Sequence, residues 1–341
     1  MVREFHPRSV ELTRSFDDLD SFSRSDAQLV IARLYGFGSW PKLRAGVELA
    51  REHTGSDPAD IETGSGAGSA MSPVDRFVTL ACVSYNPIDV HARLAEATRL
   101  LAADPSLGTG SPAAMAVTGQ YRRLAEALDE DRAAAKRPTG PNRWPLLLYC
   151  TYSREMADGA DCSAVETVRL LLAHGADPDA GFLWHGLVPP FTALTGALGR
   201  GEGDQPPHPD RDRLVRILLE AGADPNDGQG LYNNGLAGTA HDDPTHLRLL
   251  HEFGLGRPHN GPWYRRFGDR LTPPAELLHD ELEVAAWRGL PNRMRFLIGL
   301  DLDLDRGVGR SGRRPLDLAL EQGHDEVVDI LRAAGATSTT E

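Results

Sequence analysis

Five residues between positions 241 and 251 have side chains that ligate metals: His241, Asp242, Asp243, His246 and His251. Imidazole nitrogens and carboxylate oxygens hold a divalent cation when three or four of them converge on one point. His246 and His251 are five positions apart, so on a helix they diverge by about 140°. The acids fit better as the N-terminus of a helix starting near Pro244, with Asp242 or Asp243 as its cap. No metal and no other cofactor is expected. Cys82, Cys150 and Cys162 are odd in number, widely spaced and without CxxC pairing, which fits neither a disulfide framework nor a zinc site. Neither Cys150 nor Cys162 is flanked by a nucleophile signature, and a buried structural thiol is the better reading. The run GSGAGS (64–69) lacks the strand-to-helix context of a phosphate loop. His185 and His241 are the histidines placed to act as general acid or base beside the aromatic segments described next.

A second constellation is built for binding. Phe182, Trp184 and His185 lie in one segment, Tyr232, Asn233 and Asn234 in another, and Trp263, Tyr264, Arg265 and Arg266 in a third. Aromatic and arginine side chains dominate binding hot spots, and loops on a rigid scaffold are where binding residues concentrate. The competing expectation is structural: long loops fold back and bury their own Trp and Phe in small satellite cores.

Charge and composition narrow the partners. The 341 residues carry 36 Lys and Arg against 49 Asp and Glu, a formal charge of −13. That balance repels phosphate backbones and anionic lipid, so neither nucleic acid nor membrane is an expected partner. No stretch approaches the roughly 18 apolar residues of a membrane span, and the start lacks an apolar signal core. A soluble protein of a reducing cytoplasm is expected.

What must position these residues is an internal repeat. VRLLLAHGADPD (168–179) and VRILLEAGADPN (215–226) match at an offset of 47, and the segments starting at Leu247, Met294 and Val328 fall into the same columns. One column reads Val168, Val215, Leu247, Met294, Val328, and another Leu171, Leu218, Leu250, Leu297, Leu331. Apolar residues at i, i+2 and i+3 around a charged i+1 predict a short helix with one broad buried face. The charged column Arg169, Arg216, Arg248, Arg295 and Asp329 is expected to be a solvated stripe. Gly175, Gly222, Gly254 and Gly335 end the copies, and Asp301 breaks that pattern. A second amphipathic helix precedes the last two copies, at 281–289 and 314–324.

The unit of helix, turn, helix and extended finger resembles the ankyrin repeat. RRPLDLALEQGHDEVVDILRAAGA (313–336) is similar to a near-consensus member, with Pro315-Leu316 opening the inner helix and Gly323-His324 between helices. Weaker units fall at 144–178, opened by Trp144-Pro145-Leu146, and at 192–225, with Thr192-Ala193-Leu194; poorer ones lie at 110–131 and 74–105. Residues 26–50 resemble a helical leader found ahead of ankyrin repeats in many bacterial proteins. The resemblance implies an all-α ankyrin-repeat solenoid with a helical N-terminal cap at 1–52. A Gly/Ser/Pro-rich linker at 53–73 and an array of about seven repeats over 74–341, best defined from 144, follow. Solenoid ends need such caps over their open apolar faces.

Departures from the repeat spacing locate the candidate binding face. The distance from a terminal Gly to the next inner helix is 18 residues from Gly175 to Ala193 and 27 from Gly254 to Glu281, so two fingers are enlarged, at 180–191 and 257–274. Between them, 12 residues run from Gly222 to Asn234, a finger that supplies Tyr232, Asn233 and Asn234 ahead of an inner helix degraded by Gly235 and Gly238. The expected function is a non-enzymatic interaction module that binds a protein or peptide on its finger and inner-helix face. The alternative is an enzyme or small-molecule binder with a pocket in the enlarged fingers and His185, Tyr232, Asn234 and Arg265 as its polar groups.

Overall fold

The structure is a computed structural model, and it describes residues 24–35, 37–55, 58, 71–85, 90–236, 238–307 and 312–339. It is all-α apart from a two-residue strand at Thr54–Gly55 and one short β hairpin considered below. The described residues form two compact units, one up to Thr54 and one from Gly55 onward. In the first, α1 (Arg24–Leu34) packs on α2 (Trp40–His53). A Cβ at Gly46 would come within 2.6 Å of the Phe37 ring, so glycine is what lets that ring lie on α2. The linker expected over 53–73 starts inside α2 and ends inside the next helix at Pro73, while residues 56–57 and 59–70 lie outside the described residues.

The second unit is a succession of helix pairs. Ser72 Oγ accepts the Asp75 amide at 3.0 Å and caps α3 (Pro73–Ala81), which pairs with α4 (Val90–Ala103). Then come α5 (Pro112–Val117) with α6 (Tyr121–Glu130), α7 (Leu146–Tyr152) with α8 (Ala164–Ala173), and α9 (Ala193–Leu198) with α10 (Arg211–Glu220). After α11 (Gly228–Gly235), α12 (Thr245–Glu252) and the short α13 (Pro262–Phe267), α14 (Pro274–Arg288) pairs with α15 (Pro291–Ile298) and α16 (Pro315–Gln322) with α17 (Asp325–Ala333). The helices α3, α5, α7, α9, α11, α14 and α16 form one layer in which each packs on the next; α6, α8, α10 and α12 do the same in a second layer, as do α15 and α17. Among the described residues no helix is long and apolar enough to cross a membrane.

Periodicity in the sequence becomes burial here. Leu171, Leu218, Leu250, Leu297 and Leu331 are wholly buried, as are Val168, Val215, Leu247 and Met294, each contributing about 1.5–3 kcal/mol relative to an exposed side chain. The arginine stripe on the opposite face links successive helices. Arg216 forks onto Glu252 at 2.8 and 2.9 Å, Arg248 lies 4.8 Å over the Phe296 ring, and Arg295 reaches Glu326 at 2.6 Å. Exposed pairs of this kind are screened by water and hold little of the fold. Asp301, where the glycine pattern breaks, still adopts the left-handed backbone of the glycines, with φ of 55°.

One predicted element lies elsewhere. Leu231 to Asn234 belong to α11 itself, and the finger before it is short. Asp227 is the physical reason: its carboxylate accepts the Gly230 amide at 3.0 Å and starts a helix at Gly228, where the Gly-Gln-Gly sequence reads as a turn. Between α11 and α12 lies a 3-10 turn at Thr239–His241, and the buried Arg293 of α15 reaches into this region. It donates to the Asn234 carbonyl at 2.8 Å and the His241 carbonyl at 3.1 Å.

Candidate functional site: an acidic cleft beside two enlarged fingers

The finger at 180–191 is a hairpin. β1 (Gly181–Trp184) pairs antiparallel with β2 (Phe191–Thr192), setting Gly181 opposite Thr192 and Phe182 opposite Phe191. Phe182 and Leu183 are both buried in β1, and the Phe182 ring stacks on Trp144 at 4.9 Å and on Phe191 at 5.4 Å and meets Tyr152 at 6.0 Å. Such aromatic pairs add about 0.5–1.5 kcal/mol beyond area burial. Phe182 is therefore core. Trp184 is half-buried, edge-on to Phe191, and touches the exposed His185, which turns the hairpin at φ of 50°.

The second enlarged finger folds onto the first. Trp263 of α13 is buried; its indole N–H donates to the Asp179 carbonyl at 2.8 Å, and its ring lies 3.0 Å from where a Cβ on Gly181 would sit. Phe267 stacks on it at 6.0 Å and the Arg266 guanidinium covers its ring at 5.1 Å. Tyr264 donates its hydroxyl to the Thr272 carbonyl at 2.8 Å, and Arg265 turns back onto the Asn260 carbonyl. The two fingers meet where Trp263 packs against Asp179 and Gly181, and Trp263 and Phe182 are both buried and not exposed anchors.

Asn233 and Asn234 are also interior. Asn233 accepts from Gln229 at 2.8 Å, and Asn234 donates to the Gly230 carbonyl at 2.9 Å. On the same helix, Tyr232 is 37% exposed and donates to Glu202 at 2.9 Å. Of the ten candidate residues, Tyr232, Trp263 and Tyr264 line a cleft of about 1210 Å³.

That cleft is acidic. The fingers contribute Asp179, Asp224, Asp227 and Asp269, α14 contributes Glu276, Asp280, Glu281 and Glu283, and α16 adds Glu321; the lining arginines are Arg270 and Arg313. Arg313 is already paired with Glu321, and Glu276 with Arg306. Asp227 ties α9 to α11. Thr192 and Thr195 both donate to it at 2.8 Å, while Thr192 also caps α9 by accepting the Leu194 and Thr195 amides. Asp179 accepts the Asp224 amide at 2.7 Å, and Asp224 in turn accepts both the amide and the side chain of Asn226. Burial pushes the Asp179 carboxyl up to about 6 and the Glu281 carboxyl up to about 7, with Arg293 opposing the latter. The rim carries Trp287, 45% exposed.

The metal-type residues serve structure. His246 is buried, its Nδ1 3.2 Å from the Asp243 carbonyl, and burial with Arg293 and Arg211 nearby holds its pKa well below the usual imidazole range. His251 meets the Phe296 ring edge-on at 6.2 Å, and His241 stands 3.5 Å from Asp204. Asp243 accepts the Thr245 amide at 3.0 Å at the start of α12, whereas Asp242 turns to α15. Among the described residues no three His, Cys, Asp or Glu side chains are grouped to hold a metal ion. Cys82 and Cys150 are buried, and burial raises the Cys150 thiol far above neutrality, leaving it unreactive.

The acidic lining was the signal missed in sequence, because each of its carboxylates has a local role to explain it. Comparison with known proteins adds no assignment: no protein-family model matches this chain, and no curated protein matches it at a significant level.

Proposed function

We propose that this chain is an ankyrin-like repeat protein that acts as a non-enzymatic interaction module, and that its acidic cleft takes a basic, extended segment of a partner protein. The repeat reading is supported by the recurring buried columns and by layers in which each helix packs on the next. The observation that carries the binding reading is the lining of the cleft, nine carboxylates against two guanidiniums along α14, α16 and the fingers. A concave wall of one charge focuses its field and attracts ligands of the opposite sign. The volume exceeds the roughly 300–1,000 Å³ typical of small-molecule pockets and suits a chain segment. Of the polar groups the small-molecule alternative drew on, only Tyr232 lines the cleft; His185, Asn234 and Arg265 do not.

The test is a fluorescence titration, reading the tryptophans, with a panel of Lys/Arg-rich and Asp/Glu-rich peptides. Basic peptides should bind, more weakly as salt screens the attraction. The triple variant Glu276→Gln, Asp280→Asn, Glu283→Gln should lose that binding while melting like the parent. Indifference to peptide charge, or equal binding by the triple variant, would overturn the proposal.

A further inference from the structure

We infer that Glu281 is the anchoring subsite of the cleft, receiving the ammonium or guanidinium head of one basic side chain of the bound peptide; the inference rests on the cleft being the docking face. Glu281 is only 4% exposed, yet it lines the cleft, and no described residue hydrogen-bonds to it. Buried polar groups almost always find a partner within the protein or in ordered water. The other deeply buried acids nearby conform. Asp227 has Thr192, Thr195 and Gly230 as donors, Asp179 has the Asp224 amide, and Asp317 has Ser338 and Thr339. Glu281 has no donor among the described residues, and in the same cleft Glu283 Oε2 is likewise a buried oxygen without a hydrogen-bond partner.

The nearest opposite charge does not fill that role. Arg293 lowers the energy of the ionised carboxylate, but its own guanidinium donates to the carbonyls of Asn234 and His241. A carboxylate desolvated to this degree gains strongly from a cation that supplies N–H donors, because charge-assisted bonds strengthen away from water. Asp280, adjacent on α14, adds to the negative potential at the same point. Tyr232 and Trp287 offer the apolar surface such a side chain also needs, since a lysine or arginine stem packs on aromatic rings while its head seeks charge.

The experiment is isothermal titration of the full chain at about pH 8, above the value to which burial raises Glu281, with hexalysine and hexaarginine as the probes. Glu281→Gln should weaken the tighter probe about tenfold or more, the loss of one charge-assisted contact. Asp129→Asn, which removes an exposed carboxylate on α6 outside the cleft, should change it less than about twofold, controlling for net charge. If Glu281→Gln binds like the parent while the triple cleft variant does not, the subsite is overturned and the docking face stands. If neither probe binds the parent chain, both fall. Should Glu281→Gln fail to fold, carboxyl-carbon NMR of the parent decides: the Glu281 signal should move on adding the probe, and an unmoved signal overturns the assignment.

Discussion

Asp242 accepts the backbone amide of Arg293 at 3.0 Å, so a residue just after the 3-10 turn Thr239–His241 caps a helix in the next pair. The same carboxylate takes the Asn292 amide at 2.7 Å. Two of the first amides of α15 therefore find their partner in the region into which the Arg293 side chain reaches. Asp242→Ala should cost about 1–2 kcal/mol, the usual loss on removing a helix cap. Urea melts that place the variant within about 0.3 kcal/mol of the parent would show that water replaces the carboxylate.

Trp263 and Trp184 should separate in the same kind of experiment. Trp263→Ala removes a buried indole together with its hydrogen bond to Asp179 and should cost about 3–5 kcal/mol. Trp184 is half-buried at the hairpin edge, and Trp184→Ala should cost less than half of that. Equal losses would mean that the hairpin tip is held as firmly as the finger junction.

Glu281 makes a prediction about pH. The folded chain keeps the Glu281 proton up to about pH 7, while the unfolded chain releases it near the ordinary value of 4.5. Its contribution is therefore full below about pH 4.5 and is lost as pH rises to 7, by up to about 3 kcal/mol. Glu281→Gln has no proton to lose. Measured at about pH 5 and again at about pH 8, its stability relative to the parent should rise by a comparable amount. A difference that is flat with pH would show the carboxylate to be better solvated than its burial implies.

Asp301 sits where the other copies have glycine, at φ of 55°. A side chain in that region costs about 1 kcal/mol through its Cβ, somewhat less for Asp. Asp301→Gly should therefore raise the midpoint of unfolding by an amount worth up to about 1 kcal/mol, whereas Asp301→Val should lower it. A destabilised glycine variant would mean that the Asp301 side chain holds its turn.

Helices α8, α10, α12, α15 and α17 were legible in sequence because burial there is periodic. Leu218 and Leu297 recur in column with Val215 and Met294, and nothing but packing decides those positions. The start of α11 was not legible, since the acid that nucleates it, Asp227, is oriented by Thr192 and Thr195 from more than thirty residues upstream. The cleft was hidden for a related reason. Asp179, Asp227 and Glu281 are remote in sequence and each has a local reading as turn, cap or helix face. The charge of −13 was weighed for the polyanions it excludes, while its placement along one wall depends on tertiary structure.

The glycines of α11 carry a consequence for how the protein comes apart. Toward α14 this helix presents Gly235, where a Cβ would meet Val284 at 3.1 Å, and Gly228, whose Cβ would come no nearer than 3.9 Å to Leu277. Neither glycine brings a side chain to that junction. Where helices pack on their neighbours in a row, cooperativity is limited by the thinnest junction. Hydrogen exchange should accordingly find two blocks, one ending at α11 and one beginning at α14, that open at different free energies. A peptide lying in the cleft touches both sides of this seam and would weld them, so that the occupied protein protects its amides as a single block.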